Sequence, residues 1–151
     1  MAKDSVLNIF MIKHLYDVSM QPIVTKHDIR RLELDILLFL SNHPQYDTAS
    51  EIIYHRGLSK SHVSTSIQHL IDKHLLKTFK HADDKKKIHL QICDEARDII
   101  QDGKQAQKAF FELLYKDFSK QEKEMMASLF DRMNENIKNA NQESRGRKHD
   151  I

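Results

Sequence analysis

One stretch decides the fold of this chain: Ser59-Lys-Ser-His-Val-Ser-Thr-Ser-Ile-Gln-His-Leu-Ile-Asp-Lys73. Its apolar side chains recur at helical spacing and therefore form one stripe, made of Val63, Ile67, Leu70 and Ile71. Polar side chains fill the opposite side, and Ser59 suits a helix N-terminus because its hydroxyl accepts from a free backbone N–H. The pattern predicts a helix over Ser59–Lys73, anchored on one side and free on the other.

The residues before this helix predict a shorter helix and a tight turn. Thr48-Ala-Ser-Glu51 has the pattern of a capping box, in which hydroxyl and carboxylate bond free N–H groups at a helix start. We therefore expect a helix over about Thr48–His55. Gly57 follows it, and glycine adopts the left-handed backbone of a helix end at little cost. Two helices joined in this way indicate a helix-turn-helix unit.

After Lys73 the spacing of apolar residues changes from helical to alternating. Ile88, Leu90 and Ile92 alternate with polar residues, which is typical of a half-buried strand. The segment Leu75–His81 can pair with this strand across a polar turn. We expect a two-stranded hairpin over residues 75–93.

Helical segments flank this unit on both sides. Pro22 is expected to end the first of them, since the residue before a proline disfavours helical backbone. A second capping box, Ser119–Glu122, is expected to start the last. The expected helices are Ser5–Met20, Arg31–Asn42, about 94–117 and about 120–139, and the polar tail Asn141–Ile151 is expected to be disordered.

Composition indicates one cytoplasmic domain with a cationic patch. The 151 residues include only three glycines, two prolines and one cysteine, so no internal disulfide can form. No apolar run is long enough for a signal peptide or a membrane span. The net charge is +2, yet residues 56–87 hold eight Lys or Arg against three Asp. Such a patch is typical of a polyanion binder, although an ordinary solvated face has the same charge.

The free side of the Ser59–Lys73 helix has the chemistry of a surface that reads double-stranded DNA. The major groove admits one helix, and short side chains allow a close approach to base edges. Gln68 can pair with adenine. The three lysines of the hairpin turn are placed to reach phosphates or a minor groove. The helix side chains concerned are Ser61, His62, Ser64, Thr65, Gln68 and His69, and the lysines are Lys85, Lys86 and Lys87.

The order and spacing of these segments resemble the MarR family of winged helix-turn-helix regulators. The resemblance covers about residues 29–103 and rests on Leu34-Asp-Ile-Leu-Leu-Phe-Leu40, Ala49-Ser-Glu-Ile52, Gly57-Leu-Ser-Lys-Ser-His-Val63, Leu70-Ile-Asp-Lys73 and Asp83-Asp-Lys-Lys-Lys-Ile-His-Leu-Gln-Ile92. It implies an obligate homodimer built from both chain ends. It also implies repression of promoters that carry inverted repeats, often released by a small phenolic or other effector.

The resemblance also implies site residues. The family's recognition-helix positions fall on Lys60, Ser61, His62, Ser64, Thr65 and Gln68, and its wing motif falls on Asp84 and Lys86. Lys86 stands where the family has arginine, and lysine lacks the planar bidentate contacts of arginine. His74 stands where a glycine is expected after the recognition helix, and Arg30 where a small polar cap is expected. These departures indicate a diverged member.

The predicted fold is mainly α, with a small β-hairpin wing. Residues 29–93 are expected to form the DNA-binding region, and residues 1–28 with 94–140 a helical dimerisation region. The terminal helices bear more apolar surface than a small core needs, so pairing with a second copy is expected. The alternative is that these stripes complete the core of a monomer.

Other functions have weaker support in the sequence. Ten histidines suggest a metal-responsive regulator, but no His-x-x-x-His pair is present and no metal site or cofactor is expected. Cys93 leaves a redox-responsive regulator open, although it ends a strand and is expected to pack as a small hydrophobe. No nucleophile or cofactor motif predicts an enzyme, and no catalytic residues are assigned. A winged helix that binds only protein would expose apolar side chains where this one has Ser, His, Thr and Gln.

Overall fold

The structure of the chain is a computed structural model that describes the backbone of residues 2–146 and the side chains of residues 7–141. Its elements in chain order are α1 (Ala2–His27), α2 (Arg31–Asn42), α3 (Ala49–Arg56), α4 (Lys60–Asp72), β1 (Leu76–Phe79), β2 (His89–Ile92), a 3-10 turn (Asp94–Ala96), α5 (Arg97–Leu114) and α6 (Lys120–Gly146). The mainly helical fold with an antiparallel hairpin is confirmed. Two compact units are present, Met1–Phe111 and Glu112–Ile151.

Helix α2 lies at the centre of the first unit. Its apolar residues are buried around most of its circumference, as expected of a helix enclosed by the core. Leu70 of α4, Leu76 of β1 and Leu90 of β2 are buried in the same cluster. The buried residues of α2 are Glu33, Leu34, Ile36, Leu37, Leu38, Phe39 and Leu40. The sequence predicted the bounds of α2 correctly.

Helix α1 corrects the prediction that Pro22 ends the first helix. Pro22 lies inside α1, which continues to His27. A proline there removes one backbone hydrogen bond, but Met20 and Ile23 on either side of it are buried in the core. Their packing favours a continuous helix over a break. The helix ends instead where Asp28 adopts a left-handed backbone with φ of 49°.

The hairpin is shorter than predicted but has the expected pairing. Its register joins Leu76 to Ile92 and Phe79 to His89. His74 adopts the left-handed backbone that a glycine would favour, with φ of 59°. The N–H of Leu75 then donates to the Leu70 carbonyl at 2.8 Å, and the N–H of His74 donates to Ile71 at 2.9 Å. These two bonds form a Schellman closure, which satisfies carbonyls at the end of α4.

An ion cluster ties the C-terminal end of α1 to α5. The Lys26 ammonium and the His27 Nε2 lie 2.6 and 2.7 Å from the Asp102 carboxylate. The hydrogen bond from Lys26, and then that from His27, lowers the pKa of Asp102 below its ordinary 3.8. A lowered folded-state pKa stabilises the fold above about pH 4, and this contribution is lost as the pH falls through the lowered value.

Asp102→Asn should therefore destabilise the protein in a pH-dependent way. We expect a lower thermal unfolding midpoint than wild type at about pH 6, and a difference that shrinks as the pH is brought below about 4. Asp94→Asn is the control, because Asp94 pairs with Arg97 at 2.9 Å on the open surface and surface pairs contribute little. A difference between wild type and Asp102→Asn that is as large at about pH 3 as at about pH 6 would contradict this account.

The second unit contains the end of α5 and the whole of α6. The predicted capping box is confirmed: the Ser119 N–H donates to Glu122 Oε2 at 2.7 Å, and the Glu122 N–H donates to Ser119 Oγ at 3.2 Å. The bond from the Ser119 backbone lowers the pKa of Glu122. Helix α6 continues to Gly146, so the expected disorder is not found at residues 141–146. The rest of the predicted tail lies outside the described residues.

Across the described part of the chain, no helix has both the length and the apolar composition needed to cross a membrane.

Candidate nucleic-acid interface

Helices α3 and α4 form a helix-turn-helix whose caps are those predicted. Thr48 Oγ1 accepts from the Glu51 N–H at 3.3 Å, and Glu51 Oε2 accepts from the Thr48 N–H at 3.1 Å. Gly57 follows α3 with φ of 61°, in the left-handed region. Ser59 then caps α4, since its hydroxyl accepts from the His62 N–H at 3.4 Å. Local sequence alone therefore accounts for the turn that aims α4.

Gly57→Ala isolates the conformational cost of this turn. An added Cβ would meet no atom within 4 Å, so only the left-handed backbone opposes the substitution. We expect a loss of about 1 kcal/mol in the free energy of unfolding, measured by urea denaturation. Gly57→Asn should lose less, because asparagine tolerates this conformation better. An equal loss for both variants would indicate a different cause.

Helix α4 divides into a buried edge and an open edge. Val63, Ser66, Ile67 and Leu70 are buried against the core. The predicted site residues that are exposed are Lys60, Ser61, His62, Ser64, Thr65 and Gln68. None of these six side chains is packed inside the first unit, so the open edge presents a row of hydroxyl, imidazole, amide and ammonium groups. Such groups can bond base edges and phosphates.

The two predicted site residues nearest the C-terminal end of α4, Gln68 and His69, already have partners within the protein. Gln68 Nε2 donates to Asp72 Oδ1 at 2.9 Å, one helical turn away. A bidentate pairing of Gln68 with adenine would require this bond to open. His69 is half-buried, and its Nδ1 lies 3.2 Å from Oε1 of the buried Glu33 on α2. The structure thus separates His69 from the six exposed residues.

The hairpin turn carries the predicted lysines on its surface. Lys85, Lys86 and Lys87 are exposed, and no described acidic side chain forms an ion pair with them. Asp84 is half-buried, and its Oδ1 accepts from the Lys86 N–H at 3.1 Å. An aspartate that bonds the backbone two residues on favours a tight turn. Asp84 therefore shapes the turn, and the lysines supply its positive charge.

The base of the hairpin is tied to the loop before α3. His89 Nδ1 lies 2.7 Å from Asp47 Oδ1, and the Leu90 N–H donates to the Asp47 carbonyl at 2.7 Å. The His89 ring also stacks on Phe79 at 5.2 Å and contacts His81 edge-on at 4.5 Å. These contacts set the hairpin against the helix-turn-helix. No sequence pattern indicated them, since Asp47 and His89 are 42 residues apart.

Two further cations lie near the C-terminal end of α4. The Lys73 ammonium donates to the Asp28 carbonyl. Arg30, at the start of α2, has a side chain that is 67% exposed and lies 4.0 Å from Glu33. The Arg30 side chain has no acceptor atom, so Glu33 alone supplies the side-chain cap of α2 by accepting from the Arg30 N–H at 2.9 Å. The sequence flagged Arg30 only as a departure from a small polar cap.

The described residues contain no group of three or more His, Cys, Asp or Glu side chains placed to hold a metal ion. Cys93 is half-buried just after β2, and its N–H donates to the Leu75 carbonyl at 3.0 Å. The candidate site therefore consists of the open edge of α4 and the hairpin lysines.

Helices α1 and α6 each expose large apolar side chains. On α1 these are Leu7, Ile9, Phe10, Met11, Ile12 and Val18, and on α6 they are Met125, Leu129, Phe130, Met133 and Ile137. Several of the α1 residues, with His14, line a cleft along that helix. Apolar side chains exposed at this density mark surfaces that bind another molecule.

Comparison with known proteins connects this geometry to one family. Residues 27–87 match the model of the MarR family. This segment contains α2, the helix-turn-helix, β1 and the hairpin lysines. A search of curated protein sequences found no match.

Several solved structures share the fold over nearly the whole chain. A MarR-family regulator from Listeria monocytogenes, solved with a 26mer DNA, is 13% identical, with a TM-score of 0.73 over 91% of this chain and 88% of its own. The S. aureus MepR–DNA complex is 17% identical, with a TM-score of 0.70 over 88% and 95%. S. aureus MarR in complex with salicylate and kanamycin is 20% identical, with a TM-score of 0.71 over 90% and 91%.

Proposed function

Since this chain belongs to the MarR family of winged helix-turn-helix DNA-binding transcriptional regulators, as residues 27–87 show, we propose that it represses transcription as a cytoplasmic homodimer. In this proposal, the dimer binds an operator with an inverted repeat. MarR-family proteins are regulators and not enzymes, so the chain is assigned no catalytic residues.

The open edge of α4 is the observation that carries this proposal. In our proposal Lys60, Ser61, His62, Ser64 and Thr65 enter the major groove, together with Gln68 and His69. The side chains of Lys85, Lys86 and Lys87 contact the backbone or minor groove, and Asp84 holds the turn that presents them. Two solved relatives of the same fold are complexes with DNA.

The exposed apolar residues of α1 and α6 support the homodimer. A two-fold dimer would hide these side chains and present two copies of α4 about 34 Å apart, one turn of DNA. An operator with two half-sites at that spacing would match it. The two-fold symmetry of such a dimer makes the inverted repeat a geometric expectation.

A small-molecule effector is proposed on narrower grounds. S. aureus MarR, which shares the fold, was solved with salicylate and kanamycin. In this chain the cleft along α1 contains His14 among apolar side chains, which suits an aromatic acid.

A salt titration of DNA binding tests the function. The wild-type protein should bind duplex DNA that carries an inverted repeat, and affinity should fall by about a thousandfold or more between about 50 and 200 mM salt. Gln68→Ala should retain this salt dependence but discriminate less between operator variants at one base pair. Absence of binding at low salt would refute the proposal. An unchanged base preference in Gln68→Ala would remove Gln68 from the site.

A further inference from the structure

Glu33 is a buried carboxylate held next to the recognition helix. Its side chain is 1% exposed. Oε2 accepts from the Arg30 N–H at 2.9 Å, and Oε1 lies 3.2 Å from His69 Nδ1. The Arg30 Nε is 4.0 Å from the same Oε1. Burying a carboxylate is costly unless donors bond its oxygens. Glu33 therefore requires a hydrogen-bond donor at the atom of His69 that faces it.

The contact decides which nitrogen of His69 carries the proton. A carboxylate accepts hydrogen bonds and has none to donate, so the Nδ1 of His69 must be the donor. The second ring nitrogen, Nε2, lies across the ring from Nδ1 and does not face Glu33. Within the described residues no hydrogen bond to Nε2 is formed, and the His69 side chain is 34% exposed. In the neutral ring, Nε2 carries no proton and is the group that His69 offers outward.

We propose that Glu33 is a positioning residue that sets the hydrogen-bonding character of His69 toward DNA. Whenever the His69 ring is neutral, its one proton lies on Nδ1 because that nitrogen faces Glu33, and Nε2 is presented as an acceptor. Acceptors on the protein meet donors on base edges, which in the major groove are adenine N6 and cytosine N4. This inference rests on the proposed function. It adds that a residue on α2, buried and without contact to DNA, takes part in the choice of base.

Glu33→Gln reverses the polarity of this contact while keeping its shape. The amide has a single acceptor oxygen, and the Arg30 N–H requires one. The amide NH2 group then faces His69, whose Nδ1 must become an acceptor, so the proton moves to Nε2. The outward nitrogen changes from acceptor to donor. Its preferred partners become the major-groove acceptors, which are guanine O6 and N7, thymine O4 and adenine N7.

NMR of the free protein tests the tautomer directly. Long-range ¹H–¹⁵N correlation at about pH 8.5, where an ordinary imidazole is neutral, should show His69 protonated on Nδ1 and bare on Nε2. The Glu33→Gln variant should show the opposite. A wild-type His69 that carries a proton on Nε2 at this pH would overturn the proposal, whether or not the variant folds. This measurement needs no DNA, so it stands apart from any failure of the proposed function.

DNA binding then tests whether the tautomer is read. Using a library of operator variants at the same pH, we expect one base-pair position at which wild type favours cytosine over guanine or thymine by about tenfold and Glu33→Gln reverses this preference. Adenine should be accepted by both proteins, because it presents a donor and an acceptor in the major groove. Glu51→Gln is the matched control, because Glu51 occupies the same position at the start of α3 and its carboxylate accepts from the Thr48 N–H. In a His69→Ala background, Glu33→Gln should leave base preference unchanged. A tautomer that switches without any change in base preference would overturn the proposal.

Discussion

Replacing Lys85, Lys86 and Lys87 together with alanine is expected to weaken DNA binding by about 10²-fold to 10³-fold at about 0.1 M salt. The three side chains are exposed. If each lysine neutralises one phosphate, binding by wild type releases about one counterion for each of them. The alanine variant loses this contribution to the affinity. The loss should be similar for all DNA sequences, because phosphate contacts carry no base information.

The salt slope distinguishes this effect from a change in folding. Fluorescence anisotropy over about 50–300 mM salt should give a plot of log affinity against log salt that is shallower by about one for each lysine in each protomer. Lys116, Lys120 and Lys123 provide a matched control, since their replacement by alanine removes the same charge from exposed positions outside the wing. An equal weakening in this control would mean that overall charge, and not the hairpin, attracts DNA.

Leu129→Asp combined with Met133→Asp is expected to convert the proposed dimer into a monomer. Both residues are large, apolar and exposed on one side of α6, and buried unpaired carboxylates in an interface are strongly disfavoured. A monomer engages only one half-site, so operator affinity should fall by more than about a hundredfold. Analytical ultracentrifugation reports the association state, and anisotropy reports the affinity.

The control for this prediction adds the same charge to the other side of α6. Ser128→Asp combined with Asn139→Asp places two carboxylates on exposed polar positions of the same helix. This variant should remain dimeric and should bind the operator within a few-fold of wild type. A Leu129→Asp, Met133→Asp protein that sediments as a dimer would place the interface elsewhere.

The helix-turn-helix and the hairpin were predictable because their sequence signals are local. Thr48 and Glu51, Ser59 and His62, and Gly57 act within four residues of one another along the chain. A cap or a left-handed turn depends on those residues and hardly on the rest of the fold. The two edges of α4 follow from a period of 3.6 residues, which any helix imposes. The alternating strand residues follow in the same way from a period of two.

The misplaced end of α1 shows where local reasoning failed. Pro22 carries a strong signal for a helix end, yet the helix continues past it because Met20 and Ile23 are buried by neighbours far along the chain. Packing energy of that kind depends on which surfaces meet. A window of a few residues contains no information about it.

The sequence alone determines that this protein is mainly helical, that it has a hairpin wing, and that α4 has a free polar edge. Helical period, capping chemistry and charge distribution are properties of short segments, so they can be read without coordinates. Only the tertiary structure decided that His69 faces the buried Glu33, 36 residues away, and that His89 is held by Asp47, 42 residues away. Such contacts arise when the core brings α2 beside α4 and the hairpin beside the loop before α3, and no spacing along the chain encodes them.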